Sequence, residues 1–289
     1  KGDHARGLFA GIAAHAMLPL ENLSTAAYGM ALGIAAHVTG WPFVQGGSQN
    51  LANGLGAYLK PLGGEIIVNH RVESMDELPT ARAYLFDVTP KQLIKIAGKR
   101  LPDGYRRSLE KFRYGSGVFK MDFAMEGPVP WKAEGCKRAG TVHLGGTLAE
   151  VAQSERETAE GKPPEKPYML VVQQTLFDKT RAPEGKHTVW AYCHVPNGST
   201  FDMTGRMLAQ FERFAPGFRD RIIAQHVMTP AWVESHNNNY IGGDINGGAA
   251  DLWQLYTRPT WSLTPYRTAV KGIYICSSST PPGGGVHGM

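Results

Sequence analysis

The stretch Gly272–Met289, GIYICSSSTPPGGGVHGM, decides how the rest of the chain is read. Ile273-Tyr274-Ile275-Cys276 is a short apolar run of the kind that forms a buried strand. The small hydroxyl residues Ser277 to Thr280 follow, then Pro281-Pro282, then Gly283, Gly284 and Gly285. Val286-His287-Gly288-Met289 reads as the first turn of a helix. A strand that passes through small residues and glycines into a helix start can bring backbone N–H groups against a ligand. Glycine permits close approach, and a helix N-terminus carries partial positive charge. The same residues also suit a tight surface turn, and His287 suits a packing role as well as a site role. The stretch alone leaves these alternatives open.

Working outward, the chain has 289 residues, enough for one large domain or two interleaved ones. Apolar residues make up 42% and charged residues 19%, the balance of an ordinary globular protein. A net charge of +5, with basic pairs such as Lys99-Arg100 scattered along the chain, gives no footprint for nucleic acid. Cys136, Cys193 and Cys276 are odd in number and far apart. They argue for a reducing, cytoplasmic setting and against a disulfide scaffold, and without a CxxC pair they offer no metal site. The first residue is Lys1 rather than Met, so a targeting segment upstream is left open.

Residues 1–40 read as two helices, Asp3 to Leu18 and a second starting near Ser24 and stopping at Gly40. Ala26 to Val38 is apolar almost all round yet about 13 residues long, short of the ~20 that span a membrane, so the expectation is a buried or cavity-lining helix. After Gly46-Gly47, Ser48 suits an N-cap, and Leu51, Leu55 and Leu59 mark one buried helix face. Glu65–Asn69 and Ala83–Val88 read as strands, which with the helix suggests α/β sheet. Lys91–Phe112 reads as helix broken at Leu101-Pro102. Val118–Met125, Thr141–Leu144, Tyr168–Phe177 and His187–Val195 read as an antiparallel sheet with one open or cavity-facing side. Ala149–Glu165 reads as an exposed helix with a Pro-containing loop, and Thr204–Phe214 and Phe218–Val227 as further helices. The Gly/Asn-rich segment 235–252, SHNNNYIGGDINGGAADL, has little periodicity, and loops of that length are usually functional or mobile.

No nucleophile elbow, Walker loop, HExxH, CxxC or GxGxxG is present, and no carboxylate pair suggests an acid and a base. Catalytic residues are therefore unassigned. His143 and His194, each within a strand, read as hydrogen-bonded structural residues. Asp244 either caps a turn or faces a ligand.

The closing segment is accompanied, in order, by GWPFVQGGSQNLANGL, LGGEIIVNHRVESM, YGSGVFKMDFAM, TVHLGG, RAPEGKHTVWAYCHVPNGS, ERFAPGF and NNNYIGGDINGG. Together these resemble the phytoene dehydrogenase-related flavoproteins, a branch of the FAD-dependent amine oxidase and carotenoid desaturase superfamily, from about Arg6 to Met289. The resemblance implies an α/β fold: part of a three-layer, glutathione-reductase-like FAD-binding domain, interleaved with a substrate domain of antiparallel sheet and helices. Residues 1–40 would be a helical part of the substrate domain, 41–90 part of the FAD-binding domain, 91–262 the substrate domain, and 263–289 the C-terminal part of the FAD-binding domain. The family's opening GxGxxG unit does not appear, and its members continue past the position of Met289, so the expectation is a fragment, inactive by itself.

By the resemblance, Val72 would hold the adenine of FAD through its backbone. Ser277 and Ser278 stand where many relatives have Gly-Asp, next to the ribityl and pyrophosphate. Gly283, Gly284, Gly285, Val286 and His287 would pass the isoalloxazine, and Gly46 and Gly47 would lie near the flavin or the substrate channel. Asn239, Tyr240 and Asp244 would face the substrate. The implied reaction is hydride transfer from an apolar or amine substrate to flavin N5, with reoxidation by O₂ or another acceptor. The partner is then an apolar small molecule, compatible with peripheral contact to a membrane, and the oligomeric state is open. The alternative within the same fold is a non-enzymatic escort protein that binds lipid or prenylated partners.

Overall fold

The computed structural model describes residues 2–284, so the expectations placed on Gly285, Val286 and His287 lie outside the described residues. Two sheets organise the chain. The larger is antiparallel, with strands β2 (Gly117–Met125), β3 (Thr141–Leu144), β4 (Met169–Val172), β5 (His187–Val195) and β6 (Ile222–Met228) in the order β3-β4-β5-β2-β6. The smaller pairs β1 (Tyr84–Phe86) with β7 (Ile273–Ile275) in parallel, Tyr84 opposite Ile273 and Phe86 opposite Ile275.

Alternation along β2 and β5 gives the large sheet its two faces. Phe119, Met121 and Phe123 point one way and are buried with Val189, Ala191 and Cys193. Helix α7 (Thr204–Phe214) closes this side, and Phe211 stacks on Phe218 at 3.9 Å between ring centroids. Lys120, Asp122 and Ala124 point the other way, in register with Tyr192, Trp190 and Thr188 on β5. Helices α1 (Asp3–Ala13) and α6 (Leu148–Ala159) cover the end of this second face, where Ala10, Ala14, Val151 and Tyr168 form a small core. A reciprocal capping box between Thr147 and Glu150 starts α6. The small sheet rests on α4 (Pro90–Ala97) and α5 (Asp103–Glu110), with Leu93, Ala97, Leu109 and Ile275 buried between them. Pro90 at the first helical position starts α4, and the break at Leu101-Pro102 separates the two helices.

Five sequence expectations are corrected. The helix within Ala149–Glu165 is not an exposed one, since α6 buries Val151, Glu155 and Thr158. Glu65–Asn69 is not a strand: no described strand lies beside it, and Ile67 is 72% exposed. A β-branched run becomes a strand only where a neighbour takes its backbone hydrogen bonds. Helix α2 (Leu23–Val38) is formed but not buried, with Val38 75% exposed and Ser24, Thr25 and Gly29 its buried residues. Helix α3 (Gln49–Leu59) likewise leaves Leu55 60% exposed. The segment Phe218–Val227 is not a helix. Its second half is β6, because the free edge of β2 accepts it from Lys120 to Met125. Two short helices, α8 (Pro230–His236) and α9 (Leu252–Thr257), flank the Gly/Asn-rich loop. Among the described residues no helix is long and apolar enough to cross a membrane.

Candidate functional site: a polar cleft where two parallel strands end

Strands β1 and β7 run in parallel and end side by side, so the residues that follow them share one edge. After β1 come Asp87 and Thr89; after β7 come Ser277 and Ser278. With Asn239, Tyr240 and Gly247 these residues line a cleft of about 150 Å³. The carboxyl ends of parallel strands are where α/β sheets bind ligands, because loops there diverge to opposite sides.

The loop 237–248 is held against this edge by backbone accounting. Asn239 Oδ1 accepts from the Thr89 N–H (3.0 Å), and Gln92 Nε2 donates to the Asn238 carbonyl (2.8 Å). The Asn238 amide oxygen, oriented toward its donors, accepts from both terminal guanidinium nitrogens of Arg71 (2.5 and 3.1 Å). Asp244 is fully buried beneath the cleft. Its carboxylate accepts from the N–H groups of Gly115 (2.7 Å), Asn246 (2.8 Å) and Gly248 (2.8 Å). Burial pushes its carboxyl pKa up, and those three donors and the Arg258 charge oppose that.

The turn after β7 is pinned to the same loop. Ser279 Oγ donates to the Gly247 carbonyl (2.8 Å), and Arg258, 2% exposed, donates to the Ser278 carbonyl (3.0 Å) and the Ala249 carbonyl (3.1 Å). Gly247 has φ +69°, and a Cβ there would lie 2.6 Å from Ser278 Cβ, so only glycine lets the two segments touch. Gly284 packs on the Asn246 carbonyl, and Gly283 lies beside Arg258. The glycine run, as far as it is described, is therefore folded against the cleft loop.

What the cleft offers is a donor set. The Thr89 hydroxyl is buried near the Tyr114 phenol without hydrogen-bond geometry to it or to another protein group. Ser277 Oγ accepts from the Ser279 N–H (3.2 Å), which leaves its proton to donate. A carboxylate, Asp87, adds an acceptor beside these donors. Hydroxyls with one carboxylate suit the hydroxyl-rich chain of a bound cofactor, since Asp87 can accept from sugar or ribityl hydroxyls and would repel a bare phosphate.

The structure thus brings together Ser277, Ser278, Asn239 and Tyr240, with Asp244 below them and Gly283 and Gly284 beside them. Val72, Gly46 and Gly47 are not among the cleft's lining residues. The Val72 segment is fixed by its neighbours, Arg71 on Asn238 and Glu73 on Lys95 (3.4 Å). Gly46 donates to Asp178 Oδ2 (2.8 Å), and Gly47 lies against Arg181, at the rim of a groove on the open face of the large sheet. Asp87 and Thr89 were missed from sequence; the signal available was their position at the end of a strand.

No protein-family model matches the chain. A mouse protein described as pyridine nucleotide-disulfide oxidoreductase domain-containing protein 2 is 31% identical over 148 residues, 47% of this chain and 25% of that protein. A lycopene-forming phytoene desaturase of Pseudescherichia vulneris is 23% identical over 275 residues, 86% of this chain and 53% of that protein. Among solved structures, putrescine oxidase superposes with a TM-score of 0.57 at 13% identity, over 94% of this chain and 58% of that one. In sequence and fold the chain is similar to members of the FAD-dependent amine oxidase and carotenoid desaturase superfamily. Its mixed architecture, a parallel pair beside an antiparallel sheet, is the fold of the superfamily's amine oxidases. The chain spans about half the length of the phytoene desaturase and a quarter of the mouse protein.

Proposed function

We propose that the chain is the substrate-binding and flavin-facing portion of an FAD-dependent oxidoreductase of desaturase or dehydrogenase type. The observation that carries this reading is the cleft at the ends of β1 and β7, where Ser277, Ser278, Thr89 and Asp87 converge from segments nearly 190 residues apart in sequence. Ser277 and Ser278 would donate to the cofactor, Asp87 would accept from its hydroxyls, and the turn pinned by Arg258 and Gly247 would hold these groups in place. When bound, the flavin supplies a two-electron acceptor for hydride from a substrate C–H bond.

The chain's own part is to bind and orient. The open face of the large sheet, carrying Lys120, Asp122, Trp190 and Tyr192, would form one wall of the substrate space. No acid/base pair lies at the cleft among its described lining residues, which suits chemistry carried by the cofactor. The test is anaerobic mixing of the yellow holoprotein with amine and polyene substrates while following the flavin band. A substrate that bleaches it supports the oxidoreductase. A flavin-free protein that instead retains a prenylated partner overturns it in favour of an escort.

A further inference from the structure

The open face of the large sheet carries a groove of about 480 Å³ whose polar groups are unevenly paired. Two ladder rows form its floor. Asp122 lies between Trp190 and His226, and Ala124 lies between Thr188 and Ala224. One row nearer the cleft, Lys120 lies between Tyr192 and Met228. Tyr192 and Met228 pack against the same small cluster, Met17, Val118 and Val233, as the cleft residue Tyr240. The groove therefore starts one row beyond the cleft wall.

Its acidic group is already neutralised: Asp122 is ion-paired with Lys120, which also lies over the Trp190 ring at 5.6 Å from the centroid. Its basic group has only a longer-range partner, Asp178, whose carboxyl the Arg181 charge helps to hold down. Arg181 lines the groove and has no carboxylate within ion-pair distance among the described residues. The nearby Asp178 is committed to the Gly46 N–H (2.8 Å) and to the Thr180 hydroxyl (2.6 Å) and N–H (3.1 Å). Gln174, on the same wall, donates to Thr188 Oγ1 (2.8 Å), while its own oxygen is buried without a donor. A cationic ligand would find the carboxylate among the described lining residues occupied and a guanidinium without a contact ion pair on the same lining. An anion would find that guanidinium unspent, beside an aromatic platform.

We infer that this groove takes a ligand with a carboxylate head and an apolar body, with Arg181 as the counter-ion and Trp190 as the surface under the body. This names a substrate class for the sheet wall of the proposed oxidoreductase and rests on that reading for its catalytic meaning, but the binding itself needs no flavin.

The test is calorimetric titration of the whole chain with decanoate, decanol and decyltrimethylammonium, repeated on Arg181→Gln. Decanoate should bind the wild type at least tenfold more tightly than the other two. Arg181→Gln should remove that preference while leaving decanol binding and the urea midpoint unchanged, because Arg181 is half-buried and holds no ion pair. Equal or tighter binding of decanol or the ammonium compound, no binding of decanoate, or decanoate affinity unaltered in Arg181→Gln overturns the inference. Flavin content measured on the same variant separates this outcome from failure of the oxidoreductase reading, since Arg181 does not line the cleft.

Discussion

Lowering the pH from 7.5 to 5 should destabilise this fold through two largely buried imidazoles. His15 and His143 share one hydrogen bond, Nε2 to Nε2 at 2.9 Å, which needs one ring as donor and the other as acceptor. Burial lowers both pKa values, His15 to about 3 and His143 to about 4, and the neighbouring histidines add to the shift. In the unfolded chain both titrate near 6.5. Below that value the unfolded state binds protons that the folded state refuses, so stability is full above pH 6.5. It falls as the pH drops toward about 4 for His143 and about 3 for His15. The slope is about 1.4 kcal/mol per pH unit for each group, so between pH 6.5 and 5 each costs about 2 kcal/mol and the pair about 4 kcal/mol. That is a large share of the ~5–15 kcal/mol that holds a typical domain together. His194, buried beside them, is hydrogen-bonded to Glu155 (2.8 Å). Urea unfolding at pH 7.5, 6 and 5 on the wild type and on His15→Gln/His143→Gln isolates the effect. The wild type should lose about 4 kcal/mol more than the double variant over that range. Parallel profiles for the two proteins would refute the reasoning.

Other perturbations have equally direct readouts. Asp244→Ala leaves three backbone N–H groups without their acceptor in a buried loop and should cost about 3 kcal/mol or more in urea unfolding; an unchanged midpoint would mean that water replaces the carboxylate. Gly247→Ala places a methyl 2.6 Å from Ser278 Cβ at φ +69°, so a loss of about 1–3 kcal/mol and a loosened Ser277–Thr280 turn, read by hydrogen exchange, are expected. Phe211→Ala removes a ring stacked on Phe218 in the core of the large sheet and should cost about 3–5 kcal/mol by thermal or chemical unfolding.

How legible the fold was depends on whether a signal was local. Thr141–Leu144, His187–Val195 and Thr204–Phe214 carry their own periodicity and their own breakers, and the observed elements share those boundaries. Glu65–Asn69 has strand composition but no neighbouring strand, and Phe218–Val227 has helix-compatible spacing but lies beside an open sheet edge. In both cases a distant partner, invisible to a window of sequence, decides the outcome. Burial of α2 and α3 failed for the same reason: apolar faces say what could be covered, not what covers it.

The site was legible where a residue type was unusual for its position. Ser277, Ser278, Asn239 and Tyr240 were pointed to by the family resemblance, on a hydroxyl-rich turn and a long Gly/Asn-rich loop, and they meet in space. Asp87 and Thr89 did not stand out, because an Asp and a Thr after a strand are ordinary turn residues. Their nearness to Ser277 and Ser278 depends on β7 arriving alongside β1 from the far end of the chain.

The central claim is that the edge formed by Asp87, Thr89, Ser277 and Ser278 holds a flavin. It is tested by expressing the protein from its complete reading frame and recording absorbance between about 350 and 500 nm before and after dithionite. The same spectra are taken on a Ser277→Ala/Ser278→Ala/Asp87→Asn variant with an unchanged urea midpoint. The account predicts a yellow wild type that bleaches on reduction and a variant that loses most of its flavin. A colourless wild type, or a variant with as much flavin as the wild type, would contradict it.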